Sequence, residues 1–135
     1  MKALFLDIGL MQHHCGINPL NVLQSSDLSN IYQGALAEQF VGQELLAAGG
    51  SENFKLFYWS RAKKSSSAEV DYLYVKDGEV LPVEVKSGPA GKLKSLHIFL
   101  NERPHVDRGF VMSPALFEKK CVDKLLFIPI YTRFL

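Results

Sequence analysis

Two stretches rich in valine and tyrosine, residues 69–76 and 79–86, carry the clearest patterning in the chain. That enrichment in β-branched and aromatic side chains suits strands. Asp77-Gly78 separates the two. That dipeptide tolerates the positive φ angles of a two-residue turn, so the pair predicts an antiparallel hairpin. Upstream, Asp27 or Ser29 can cap a helix over residues 30–48, and Gly49-Gly50 ends it. The apolar run 3–6 suits a short strand, and residues 8–14 are open to either reading. Residues 16–27 read as loop, and 54–59 as a strand. Residues 61–67 read as a polar, basic loop.

After the hairpin, residues 87–91 predict a turn. Leu93, Leu96, Phe99 and Leu100 then follow helical spacing within 92–100. Residues 108–112 and 127–131 suit two late strands, with a short helix over 115–124 between them. The order is helix, three strands, helix, strand. It predicts an α/β fold with a mixed central sheet and helices on both sides.

The hairpin fixes a register. With a two-residue turn Lys76 faces Glu79, so Asp71 faces Glu84 and Glu69 faces Lys86. Side chains two apart on a strand share a face. Glu69, Asp71, Glu84 and Lys86 are therefore expected on one face, in one patch. Directly opposed carboxylates cost roughly 0.2–1 kcal/mol, and more if the face is covered. Leu73, Val75 and Val80 share that face, so part of it should pack. The acids need a counter-charge. Lys86 is one candidate, and a divalent cation bound through oxygen is another.

Glu38 adds a third acid. On a helical wheel it falls among Ile31, Gly34, Val41, Gly42 and Leu45, a stripe of apolar and small residues expected to face the sheet. A carboxylate belongs in such a stripe when it is paired or binds metal. The metal reading is a hard-cation site: Glu38, Asp71 and Glu84, with the Val85 carbonyl, hold Mg²⁺ or Mn²⁺. The ion would acidify a bound water and screen an attacked phosphate. Lys86 would orient that water or stabilise developing charge. The alternative is an ion-pair cluster, since cross-strand Glu/Lys pairs are common on solvated sheets.

Composition narrows the function classes. The chain has 135 residues, enough for one domain with its own core. Fifteen Lys and Arg against fourteen Asp and Glu leave a charge of +1, which argues against a strongly basic DNA-coating protein. The two cysteines, Cys15 and Cys121, form no CxxC motif, so neither a disulfide scaffold nor a zinc site is expected. Reduced thiols suit a cytoplasmic protein. Asp7 interrupts the N-terminal apolar run, and no window is long enough to span a membrane.

These motifs resemble the PD-(D/E)XK nuclease superfamily. Its core order is a helix carrying an acid, a strand with Asp, a strand with Glu-x-Lys, then a helix. Glu38, Asp71 and Glu84-Val85-Lys86 match that order. A closer resemblance is to the domain of unknown function that follows an AAA-type ATPase in many bacterial and archaeal proteins. Leu6-Asp7-Ile8-Gly9-Leu10, Glu38 with Glu44-Leu45, and Ile128-Pro129-Ile130-Tyr131 carry it. The resemblance implies a restriction-endonuclease-like fold and a metal-dependent nuclease acting on DNA. It equally admits a non-catalytic binding or regulatory module of an ATPase. It implies, too, that residues 1–135 are a single domain without the ATPase part, which is lost or encoded separately. Gly88 to Leu93 lacks the spacing and the Ser or Thr of a P-loop.

Arg61, Lys63 and Lys64 could hold a phosphate backbone beside the metal, or form a solvated loop. Lys92 and Lys94 could do the same, or flank an amphipathic helix. His13-His14-Cys15 lacks the spacing of a zinc set. Tyr58, Trp59, Tyr72 and Tyr74 read as packing residues rather than base-stacking platforms. A homodimer is compatible with the sequence.

Overall fold

The structure is a computed structural model that describes residues 3–18, 29–50, 54–63, 66–88, 92–114 and 119–132. It is mixed α/β. Helix α1 spans Ile8–His14, α2 Ser29–Gly49 and α3 Lys94–Glu102. The strands are β1 Phe57–Lys63, β2 Ser66–Lys76, β3 Glu79–Val85, β4 Gly109–Ser113, β5 Lys120–Val122 and β6 Leu125–Pro129. They form one open sheet in the order β1-β2-β3-β4-β6-β5. β3, β4 and β6 are parallel, and the other pairs are antiparallel.

The β2–β3 hairpin forms as its turn requires. Asp77 and Gly78 have φ of 51° and 81°, the positive pair of a type I′ turn. Pairing runs from Lys76↔Glu79 to Tyr72↔Val83. β3 occupies the middle of the sheet, and Leu81 through Val85 are buried on both faces.

Two cores sandwich the sheet. On one face Ala37, Val41 and Leu45 of α2 pack against Tyr72, Tyr74, Leu81, Val83, Val85, Phe110, Met112 and Ile128. The four-residue spacing in α2 is one side of a helix. On the other face Leu96, Phe99 and Leu100 of α3 cover Val70, Val111 and Leu125, with Leu73 and Val80 alongside. Trp59 meets Phe99 edge-on there, with ring centroids 5.3 Å apart.

Several elements differ from their expectations. Residues 3–6 form no strand. Gln39 and Gln43 of α2 satisfy the Phe5 peptide instead: Phe5 N–H donates to Gln39 Oε1, and the Gln39 and Gln43 amides donate to Phe5 O. Two glutamines thereby do the work of a neighbouring strand. Residues 8–14 are helical because the Asp7 side chain caps them through Leu10 N–H. Residues 61–63 and 66–67, expected in a loop, are paired in β1 and β2, and the ladder closes at Lys63↔Ser66. The helix expected over 115–124 is a strand at Lys120–Val122. Asp123, with φ of 52°, turns that strand directly into β6. Residues 115–118 and much of the expected loop at 16–27 lie outside the described residues.

No described helix is long and apolar enough to cross a membrane.

Candidate functional site

The candidate site is built where the hairpin ladder ends. Phe57 pairs with Leu73 but Trp59 with Val70, so β2 uses one more residue than β1 over this stretch. That is a β-bulge, and it breaks the period-two alternation. Val70 packs with α3 and Tyr72 with α2, although they are only two residues apart.

At the bulge it is the side chain of Asp71 that meets β3. Val85 N–H donates to Asp71 Oδ2 at 2.8 Å. Val85 is buried, so this donor has little access to water. A carboxylate acceptor makes the bond charge-assisted and shields the N–H from being left unmet.

Glu84 and Lys86 flank the same peptide. Glu84 is on β3 and Lys86 just past its end, and Lys86 Nζ donates to Glu84 Oε1 at 2.7 Å. The Glu84 side chain is 9% exposed and that of Lys86 28%. A nearly covered carboxylate is thus balanced by an ammonium that still reaches water. The Lys86 N–H donates to the Met112 carbonyl at 2.8 Å, which holds the lysine backbone against β4. Just beyond, buried Ser113 donates its hydroxyl to the Gly88 carbonyl at 2.8 Å and fixes the chain leaving the site.

Two parts of the expected arrangement need correction. The β2–β3 pairing stops at Tyr72↔Val83, so no Glu69–Lys86 pair forms across it, and Glu69 pairs on its other side with Ser60 of β1. It lines an open cleft of about 350 Å³ with Ser60, Arg61, Ser67 and Ser95. The bulge between Val70 and Leu73 shifts it by one residue, so the four charged side chains do not share one face. The face that α2 covers is also the opposite one. Val83 and Val85 point to α2, so Glu84 between them points away. The tyrosines and valines make that side the larger apolar face, and the long helix takes it.

Glu38 therefore approaches from the α2 side, half-buried. Tyr72, next to Asp71, donates its hydroxyl to the Glu38 carbonyl oxygen at 2.9 Å. Gly42, one turn along, leaves room for this: a Cβ there would lie 2.8 Å from the Tyr72 hydroxyl. Tyr72 was legible only as a packing residue. The small residue four positions after Glu38 was the signal that something passes close to the helix.

Among the described residues, no three or more His, Cys, Asp or Glu side chains form a group able to hold a metal ion. Of the expected phosphate-binding residues, Arg61 is ion-paired with Glu102 at the end of α3. Lys92 and Lys94 are exposed at the start of α3. The Lys63 side chain and Lys64 lie outside the described residues.

A family model described as a domain of unknown function (DUF4143) matches residues 33–132, from within α2 through all six strands. No curated protein and no solved structure matches the chain.

Proposed function

The chain belongs to the DUF4143 family, a domain of unknown function, and from that premise we propose a metal-dependent nuclease domain that hydrolyses DNA phosphodiester bonds. The convergence of Asp71, Glu84 and Lys86 on the Val85 peptide carries this reading. Asp71 accepts from the Val85 N–H, the Glu84–Lys86 ion pair flanks that same peptide, and Tyr72, next to Asp71, bonds the backbone carbonyl of Glu38. The order of these residues along helix and strands accords with a restriction-endonuclease-like, PD-(D/E)XK core.

The donors are all oxygen, which suits a hard cation rather than zinc or copper. Asp71 and Glu84, with the Val85 carbonyl, would be the ligands of Mg²⁺ or Mn²⁺, which would acidify a bound water and offset phosphate charge; Glu38, expected as a third ligand, lies on the α2 side, away from Glu84. The protein's own part is positioning. The Val85 N–H orients the Asp71 carboxylate, Tyr72 anchors the backbone of Glu38, and the Met112 carbonyl fixes the backbone of Lys86. The Lys86 ammonium donates to charge developing on the phosphate or its attacking oxygen. Lys92 and Lys94 supply positive charge for a DNA backbone. An AAA-type ATPase is the proposed polypeptide partner.

A second reading has one observation in its favour. The Glu84–Lys86 ion pair already balances the covered carboxylate, as it would in a non-catalytic accessory domain of such an ATPase. A cleavage assay on single- and double-stranded DNA separates the two. The nuclease reading expects cleavage that requires Mg²⁺ or Mn²⁺ and drops by about 10²-fold or more in Lys86→Ala. Cleavage unchanged in Lys86→Ala, or none with either ion, favours the accessory domain.

A further inference from the structure

The sheet has two edges, and they are protected very unequally. β5 is three residues long and opens with Lys120. Short edge strands carrying lysine resist pairing with other chains. β1 is seven residues long, and its one lysine, Lys63, is its last residue, where the ladder with β2 closes. Its Phe57 is 50% exposed and Tyr58 41%, and Ser60 and Ala62 are exposed as well. The Arg61 side chain is only 19% exposed and is drawn into an ion pair with Glu102. It therefore does little to guard the edge. A long edge with exposed aromatic residues and its central charge neutralised is a template for strand addition.

We infer that β1 is an interface strand on which a second copy of this chain adds antiparallel to the first, centred on Ser60. The strand's own sequence supports self-pairing. A two-fold axis perpendicular to a sheet keeps each side chain on its face, so a residue on the axis must oppose itself. Centring on Arg61 would oppose two arginines, which is unfavourable. Centring on Trp59 would leave the last two residues of the strand unpaired. Centring on Ser60 uses all seven. It sets Tyr58 opposite Ala62, Trp59 opposite Arg61 and Phe57 opposite Lys63. No like charges then face each other across the pair. The exposed Tyr58 ring gains a small neighbour to lie against.

The helices leave room for this arrangement. α3 packs chiefly over β2, so the two copies of α3 would lie about three strand spacings apart, roughly 14 Å. That exceeds the roughly 8–10 Å of packed helices, so they do not collide. By symmetry the Glu84–Lys86 pairs of both copies open on the same face of one continuous sheet. The inference depends on sheet order and edge exposure, and stands whether or not the site is a nuclease.

Light scattering on the eluting full chain tests it first. The expected mass at high micromolar concentration is twice the 15.1 kDa of one chain, and Tyr58→Lys should weaken association at least tenfold with its far-UV circular dichroism intact. Register is tested in a Cys15→Ser, Cys121→Ser background with a short bismaleimide cross-linker. Ser60→Cys should give a covalent dimer, because opposed Cβ atoms lie about 5 Å apart. Ala62→Cys should not, because its two copies would be four residues apart, about 13 Å. A monomer throughout the concentration range overturns the inference. So does a dimer in which Ala62→Cys cross-links as well as Ser60→Cys, or one indifferent to Tyr58→Lys.

Discussion

Replacing Asp71 with alanine removes the acceptor of a shielded main-chain bond. Val85 N–H, 2.8 Å from Asp71 Oδ2, belongs to a buried residue of the central strand. Hydrogen bonds to a charged group contribute about 1.5–3 kcal/mol, and a buried donor left unmet costs about 1–3 kcal/mol. These are two descriptions of one loss, so Asp71→Ala should destabilise the fold by about 2 kcal/mol. Asp71→Asn keeps an oxygen acceptor without the charge. Neutral bonds are roughly half as strong, so about 1 kcal/mol is expected there. Urea unfolding followed by far-UV circular dichroism reads both, with a chelator present so that metal linkage adds nothing. The midpoint should fall in the order wild type, Asn, Ala, at constant slope. At roughly 4 °C per kcal/mol for a domain of this size, the Tm of Asp71→Ala should drop by about 8 °C. If Asp71→Ala lies within about 0.5 kcal/mol of wild type, as an ordinary surface substitution would, Asp71 does not hold β3 and the bulge argument fails.

Two further substitutions probe how α2 is seated. In Gly49→Ala the new Cβ would overlap the ring of Phe54, which itself leans on Tyr74 at 5.0 Å; overpacking of about 1–3 kcal/mol should outweigh a helix gain of about 1 kcal/mol, and thermal melting should show a lower Tm. Gln39→Ala removes two of the bonds that hold the Phe5 peptide; hydrogen exchange at the Phe5 amide should rise about tenfold while that of the central strand β3 is unchanged.

Much of the sheet was legible from local chemistry. The Asp77-Gly78 turn carries its own backbone requirement, and five residue pairs of the hairpin follow from it. The α2 boundaries, Ser29–Gly49, lie within a residue of the expected 30–48, while the cap candidate Asp27 lies outside the described residues. The bulge was not legible. Along β2, Ala68, Val70, Tyr72 and Tyr74 are all buried, as one apolar face would be, but this strand is covered on both sides. Alternation cannot reveal a slipped residue when either face receives an apolar side chain. That hidden slip separates Glu69 from Asp71 and turns Asp71 toward the β3 backbone. β5 was missed because three exposed residues are too few to show a period, and Asp123-Lys124 lacks the glycine of a recognisable hairpin turn. The ion pair of Arg61 with Glu102 joins residues 41 apart in sequence. No local pattern could have told it from a solvated basic loop.

The central claim is that Asp71, Glu84 and Lys86 form the heart of a divalent-metal site. Isothermal titration of the full chain with Mn²⁺ tests it most directly, with Asp71→Asn and Glu84→Gln alongside. These variants keep the size of each side chain and remove its charge. The account predicts saturable binding to the wild type, lost in Glu84→Gln and weakened at least tenfold in Asp71→Asn. Absence of binding to the wild type at millimolar Mn²⁺, or binding equal in all three proteins, would contradict it.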